Sequence, residues 1–164
     1  MKDCYKACRL KFPRVPWASS IWCRHIHPKF SILVWKKFHD RLPTDDHLQR
    51  RGIRLASVCA HGASPSNIES IFHVFCDCLF AISLWNWLAM VFRTFPPTTI
   101  CWLEIWKSIE SKPFPSQLKN LWMTASLSMI YVIWYSRNKR LFDDCPVNIS
   151  SRSIIVSLEK DCPS

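Results

Sequence analysis

The side chains with the most chemical reach lie between Cys59 and Cys78: two thiols at the ends, imidazoles at His61 and His73, and a third thiol at Cys76. Thiolate and imidazole are the ligands zinc prefers, four in a tetrahedron and usually delivered as two close pairs. Cys59 and His61 form one pair, spaced Cys-x-His, and His73 and Cys78 a second, spaced His-x4-Cys. The competing reading is packing, since cysteine is among the most buried residue types and a core thiol needs no ion. A thiol–imidazole nucleophile at Cys59 and His61 is a third reading, and it sits poorly with the apolar residues that follow.

A second chemistry is electrostatic. The 164 residues carry a formal charge of +10. Residues 1–54 hold thirteen Lys/Arg against four Asp/Glu, a net of +9, while residues 55–119 are balanced. Lys29, Lys36, Lys37, Arg41, Arg50, Arg51 and Arg54 are candidates to grip phosphates, so RNA or DNA is the partner expected for the basic stretch 24–54. A solvated basic face is the alternative. His25, His27, His39 and His47 lie among these residues and read as surface or phosphate-facing.

Other classes fall away. With only Gly52 and Gly62 there is no glycine-rich phosphate loop, and no Gly-x-Ser-x-Gly or Walker motif occurs. Carboxylates are few, and Asp45-Asp46 reads as helix capping, so no enzyme activity is expected. Nine cysteines is an odd number, and the charged start Met-Lys-Asp-Cys-Tyr-Lys has no apolar run behind it. Reduced thiols in the nucleus or cytoplasm fit better than a disulfide scaffold. Residues 120–136 lack charge, but the polar Asn120, Thr124, Ser126 and Ser128 favour a buried helix over a membrane span.

The elements that must position these groups are helices. Cys4, Tyr5, Cys8 and Phe12 repeat at near-helical spacing, and Trp17 to Trp22 fits one helical turn. The apolar run from Lys29 to His39 predicts a helix with a wide buried face. Arg41-Leu-Pro-Thr-Asp-Asp46 stops it and starts another, capped by Thr44 or Asp45 and closed at Arg50-Arg51-Gly52. Residues 53–68 read as loop, and the pattern from Glu69 to Phe92 as one or two helices beginning at the metal candidates. Phe95 to Thr99 is a linker and Trp102 to Ile109 a short helix. A long helix runs from about Gln117 to Phe142, its basic last turn at 136–140 suiting the helix dipole. A final short helix follows Pro146. The Trp residues at 22, 35, 85, 87, 102, 106, 122 and 134 are expected in the core.

Five blocks carry a resemblance. They are Trp17-Ala-Ser-Ser-Ile21-Trp22, His27-Pro28-Lys29 through Trp35, Arg41-Leu42-Pro43-Thr44 through Gly52, Glu69-Ser70-Ile71-Phe72-His73 with Cys78-Leu79-Phe80-Ala81, and Ile133-Trp134 through Arg137-Asn138. Together they resemble the reverse transcriptase zinc-binding domain of plant non-LTR (LINE-type) retroelements. The resemblance spans roughly residues 3–160 and includes no polymerase palm and no RNase H carboxylate set, so the sequence looks like one piece of a retroelement polyprotein. It implies a non-catalytic module that binds zinc and nucleic acid; a relict or protein-interaction fragment that has lost both is the alternative. The family pattern is Cys-x-x-Cys followed by His-x4-Cys. Here position 62 is Gly, which the family often has just after its second Cys; one residue is then missing and His61 stands where that Cys belongs, so the resemblance implies Cys59, His61, His73 and Cys78 as ligands, with Cys76 a possible substitute. The expected architecture is mainly α, an irregular Trp-rich helical domain with a small zinc-knuckle-like insert. Residues 3–95 form the zinc-binding domain with its metal loop at 59–78, residues 96–116 a linker with a short helix, and residues 117–164 a C-terminal helical segment.

Overall fold

The structure, a computed structural model, describes residues 15, 17–62, 68–94 and 114–143. The helices expected at 2–12, at 102–109 and after Pro146, and the linker at 95–99, lie outside the described residues. What is described is mainly helical and contains no strand. Five α-helices follow in chain order: α1 (Ala18–Ile21), α2 (Pro28–Phe38), α3 (Asp45–Arg50), α4 (Leu79–Val91) and α5 (Ser116–Asp143). A single π-helical turn, His73–Asp77, leads directly into α4.

Local chemistry sets most boundaries. Pro28 occupies the first turn of α2, where its missing N–H is not needed, and the ring of His27 accepts a hydrogen bond from the Lys29 amide. The extended Thr44 opens α3, but its hydroxyl does not cap the backbone. It donates to Asp46 Oδ1 at 2.5 Å, and the same oxygen accepts from the His47 amide at 2.8 Å. Gly52, at φ 86°, closes α3 in the left-handed conformation that glycine adopts without strain.

The core lies where α5 crosses α2, α4 and the π-turn. Trp122, Met123, Leu127, Ile130 and Ile133 recur at spacings of one to four along one side of α5. They meet Phe30, Leu33 and Val34 of α2 and Ala81, Leu84, Trp85 and Leu88 of α4. This agrees with a buried helix at 120–136, and no helix among the described residues is long and apolar enough to cross a membrane. Two polar tethers fix the smaller pieces: the buried Ser31 hydroxyl donates to the Ile21 carbonyl at 2.5 Å, tying α1 to α2, and Trp85 Nε1 donates to the Phe75 carbonyl at 2.9 Å, tying α4 to the π-turn. Buried bonds of this kind contribute about 1 kcal/mol each, and more is lost when one partner is left alone.

Three expectations need correction. The buried face of α2 is narrower than its run of apolar residues implies, because Ile32 and Trp35 are exposed. Trp22 is exposed as well, so Trp22 and Trp35 stand outside the core that holds Trp85 and Trp122. At the end of α5, Ser136 and Arg137 are buried rather than forming a solvated basic turn. Arg137 Nε donates to Glu69 Oε1 at 2.9 Å, Nη2 donates to the same oxygen, and Nη2 also lies 3.4 Å from Asp45 Oδ1. Asp45 is therefore a buried partner of Arg137 rather than a helix cap. A guanidinium can be buried here because its charge and its fork of donors are met together.

Candidate metal centre

The segment that holds the thiols and imidazoles is shaped by two irregularities. The first is a tight turn in which the Gly62 amide donates to the Cys59 carbonyl at 2.9 Å, with Gly62 at φ 68°. The second is the π-turn. On a regular α-helix, residues five apart point about 140° away from each other, since each residue advances 100°. Here the Cys78 amide donates to the His73 carbonyl at 2.8 Å, an i to i+5 bond that takes in one extra residue per turn. That widening brings His73 and Cys78 back to one side.

Cys59, His73 and Cys78 are consequently gathered and buried, with one potential ligand atom from each lying within 4.8 Å of the others. The sulfurs of Cys59 and Cys78 are 3.7 Å apart. Two thiolates on a tetrahedral zinc, each at about 2.3 Å, would be separated by about 3.8 Å. Both ring nitrogens of His73 are buried and without a hydrogen-bond partner. Its Nδ1 is 4.0 Å from Asp77 Oδ2, beyond hydrogen-bond distance. Burial pushes the Cys78 thiol up, and the neighbouring Cys59 adds to this.

His61 is placed differently. Its ring stacks on Phe80 in the first turn of α4, with centroids 3.9 Å apart and planes 10° from parallel. It is not one of the gathered three, yet both its ring nitrogens are also buried and unpartnered. Burial, followed by the charges of Arg140 and His73, pushes its pKa down to about 4. At neutral pH the imidazole therefore carries no proton charge and presents a lone pair. Cys76 is half-buried against the core and is likewise not among the three.

The basic residues divide into groups. Lys29 and Lys36 are seven apart, two turns along one side of α2 and about 10 Å from each other. Lys37 turns the other way, its ammonium 5.4 Å from the Phe75 ring centroid. Arg50 is held by Asp46 at 2.6 Å and lies 4.0 Å from Asp40. Arg41, Arg51 and Arg54 are exposed. Of the histidines beside them, His25, His27 and His39 are exposed, whereas His47 is half-buried with Nε2 2.9 Å from Asp40 Oδ2.

Among the described residues of this small helical domain, the one gathered ligand cluster is a buried Cys–His–Cys set that could hold a metal ion. The sequence model of the family described as zinc-binding in reverse transcriptase matches residues 1–85, just over half of the chain, and the chain belongs to that family. No curated protein and no solved structure matches it. The match covers the zinc-binding part of reverse transcriptase and not the catalytic domain. The residues fit the metal that the family description implies. Two thiols stand at zinc–thiolate spacing, and two buried imidazoles have nitrogens with no other partner.

Proposed function

We propose that this chain is a non-catalytic module of a retroelement reverse transcriptase, of the plant LINE type, that uses zinc to hold a basic nucleic-acid-binding face. The observation that carries the reading is the Cys59–His73–Cys78 cluster with its unpartnered histidine nitrogens. Buried polar atoms are almost always paired, and a metal ion is the partner that two thiols and an imidazole share. His61, facing Phe80 and near enough to His73 to feel its charge, is the fourth ligand in this reading. Zinc supplies a cross-link there, fastening the loop after α3 to the start of α4. The residues do the rest: α2 displays Lys29 and Lys36, the segments on either side of α3 display Arg41, Arg51 and Arg54, and phosphates bind them with largely sequence-blind, salt-dependent affinity.

Metal content of the purified protein tests this directly. One equivalent of zinc in wild type, lost in Cys78→Ala and in His61→Ala, is the expected result. Retention in His61→Ala with loss in Cys76→Ala assigns the fourth position to Cys76. No zinc in wild type under reducing conditions ends the metal half of the proposal.

One set of observations favours a second reading, a relict or protein-interaction fragment. Phe72, Leu79, Met90 and Phe142 are large apolar side chains between 62% and 74% exposed. Such residues together can mark a lost or vacant interface. Aggregation of the isolated chain, with no affinity for RNA or DNA at low salt, is the outcome that selects it.

A further inference from the structure

One side of α5, where Tyr131 packs against the edge of the core, carries a feature that the metal centre does not require. Tyr131 and Tyr135, one turn apart, stack with ring centroids 6.0 Å apart and planes 13° from parallel. Each end of this pair meets a cation. Lys29 Nζ, reaching across from α2, is 4.9 Å from the Tyr131 centroid, and Lys139 Nζ is 5.8 Å from that of Tyr135. Phe30 braces Tyr131 from beneath, edge-on at 5.2 Å. Tyr135 remains 45% exposed, so its ring is displayed as well as packed.

We propose that this Lys29–Tyr131–Tyr135–Lys139 ladder is a stacking platform for single-stranded nucleic acid. The inference rests on the nucleic-acid reading above and says which form is preferred and which residues read it. The chemistry argues for that occupant over others. An unpaired base can take the place of the flexible Lys139 side chain over the part-exposed Tyr135 ring, and the ammonium groups at both ends then offer counter-charge to the phosphates on either side. Duplex bases are already stacked on one another and present no free face to the ring. The platform is continuous with the basic surface through Lys29, and from there to Lys36 on the same side of α2. The first 54 residues, to which both lysines belong, hold +9 of the net charge. An acidic peptide would satisfy the lysines and leave the rings without a role.

The test uses the full chain loaded with zinc, a fluorescent oligouridine strand, and a duplex of the same length, followed by anisotropy. Tyr135→Ala should weaken single-strand binding about 5- to 150-fold, the range expected for the loss of one base–aromatic stack. Duplex binding should not change, and Tyr135→Phe should bind like wild type because it keeps the ring. Lys139→Ala should reduce the single-strand salt slope by about 0.7. If Tyr135→Ala weakens neither form, or weakens both equally, the platform is wrong while electrostatic binding by the basic residues 29–54 stands. If wild type binds neither form at low salt, the platform falls together with the nucleic-acid reading.

Discussion

The sulfurs of Cys59 and Cys78 stand 3.7 Å apart across nineteen residues of sequence, held there by a tight turn on one side and a π-turn on the other. That spacing is far too long for a disulfide, whose sulfurs are about 2.05 Å apart, and it suits two ligands of one zinc. Zinc should therefore stabilise the fold by mass action, by about 4 kcal/mol at a thousandfold excess over its dissociation constant. Thermal melts with and without a strong chelator measure this. Cys78→Ser should melt at the same temperature in both, and an unchanged wild-type melt on chelation would count against a structural zinc.

Arg137 makes a different prediction. It is the cationic partner shared by Glu69 and Asp45 in a buried cluster, so Arg137→Met leaves two carboxylates without their counter-charge. Breaking a buried ion pair from one side costs about 3–5 kcal/mol. Urea denaturation should show that loss, and adding Glu69→Gln to Arg137→Met should recover part of it. A change under about 1 kcal/mol, the worth of an exposed pair, would mean the cluster is solvated in solution.

His61 gives the metal-free protein a pH dependence. Unfolded, its imidazole takes a proton near pH 6.5; folded, it does so only at about 4. Above pH 6.5 both states are neutral and the group contributes no slope. As pH falls from about 6.5 to about 4, the unfolded state gains a proton that the folded state refuses, so stability is lost across that window. The urea midpoint of chelator-treated protein should fall there. His61→Phe, which can still stack on Phe80, should show a flatter profile.

The basic face is read by salt. Removing one phosphate-binding side chain should lower the slope of log affinity against log salt by about 0.7 on single strands and 0.9 on duplex. Lys36→Ala, Arg51→Ala and Arg54→Ala should each do so without changing sequence preference. Arg50→Ala should do less, because its guanidinium already faces Asp46 and Asp40.

Much of the helical framework was legible because periodicity and punctuation are local. Pro28, Pro43 and Gly52 bound α2 and α3 where the sequence placed them, and the long apolar pattern after Gln117 is α5. The π-turn was not legible as such, since one extra residue in five leaves no periodic trace. The clue was chemical: two ligands spaced i and i+5 cannot share a side of a regular helix. The Arg137 cluster was missed for the opposite reason, being wholly long-range. Asp45 looked like a cap and Arg137 like a basic last turn, and each role is locally sensible. Arg137 nonetheless falls seven and four residues after Ile130 and Ile133, on the apolar side of α5, where a charge needs a buried partner. The tyrosine ladder was hidden because half of it is also long-range: nothing local to Tyr131 says that Lys29, on another helix, reaches its ring.

The Arg137 cluster also sets a timetable for synthesis. A ribosome releases Asp45 ninety-two residues, and Glu69 sixty-eight residues, before Arg137. At about 5–20 residues per second the two carboxylates wait about 3–20 s for their counter-charge. Cys59, His73 and Cys78 are all made before Ser116 opens α5, so the nascent chain can meet a metal ion before α5 exists to close the core. Ligand residues first and docking helix second is the order in which synthesis supplies these parts.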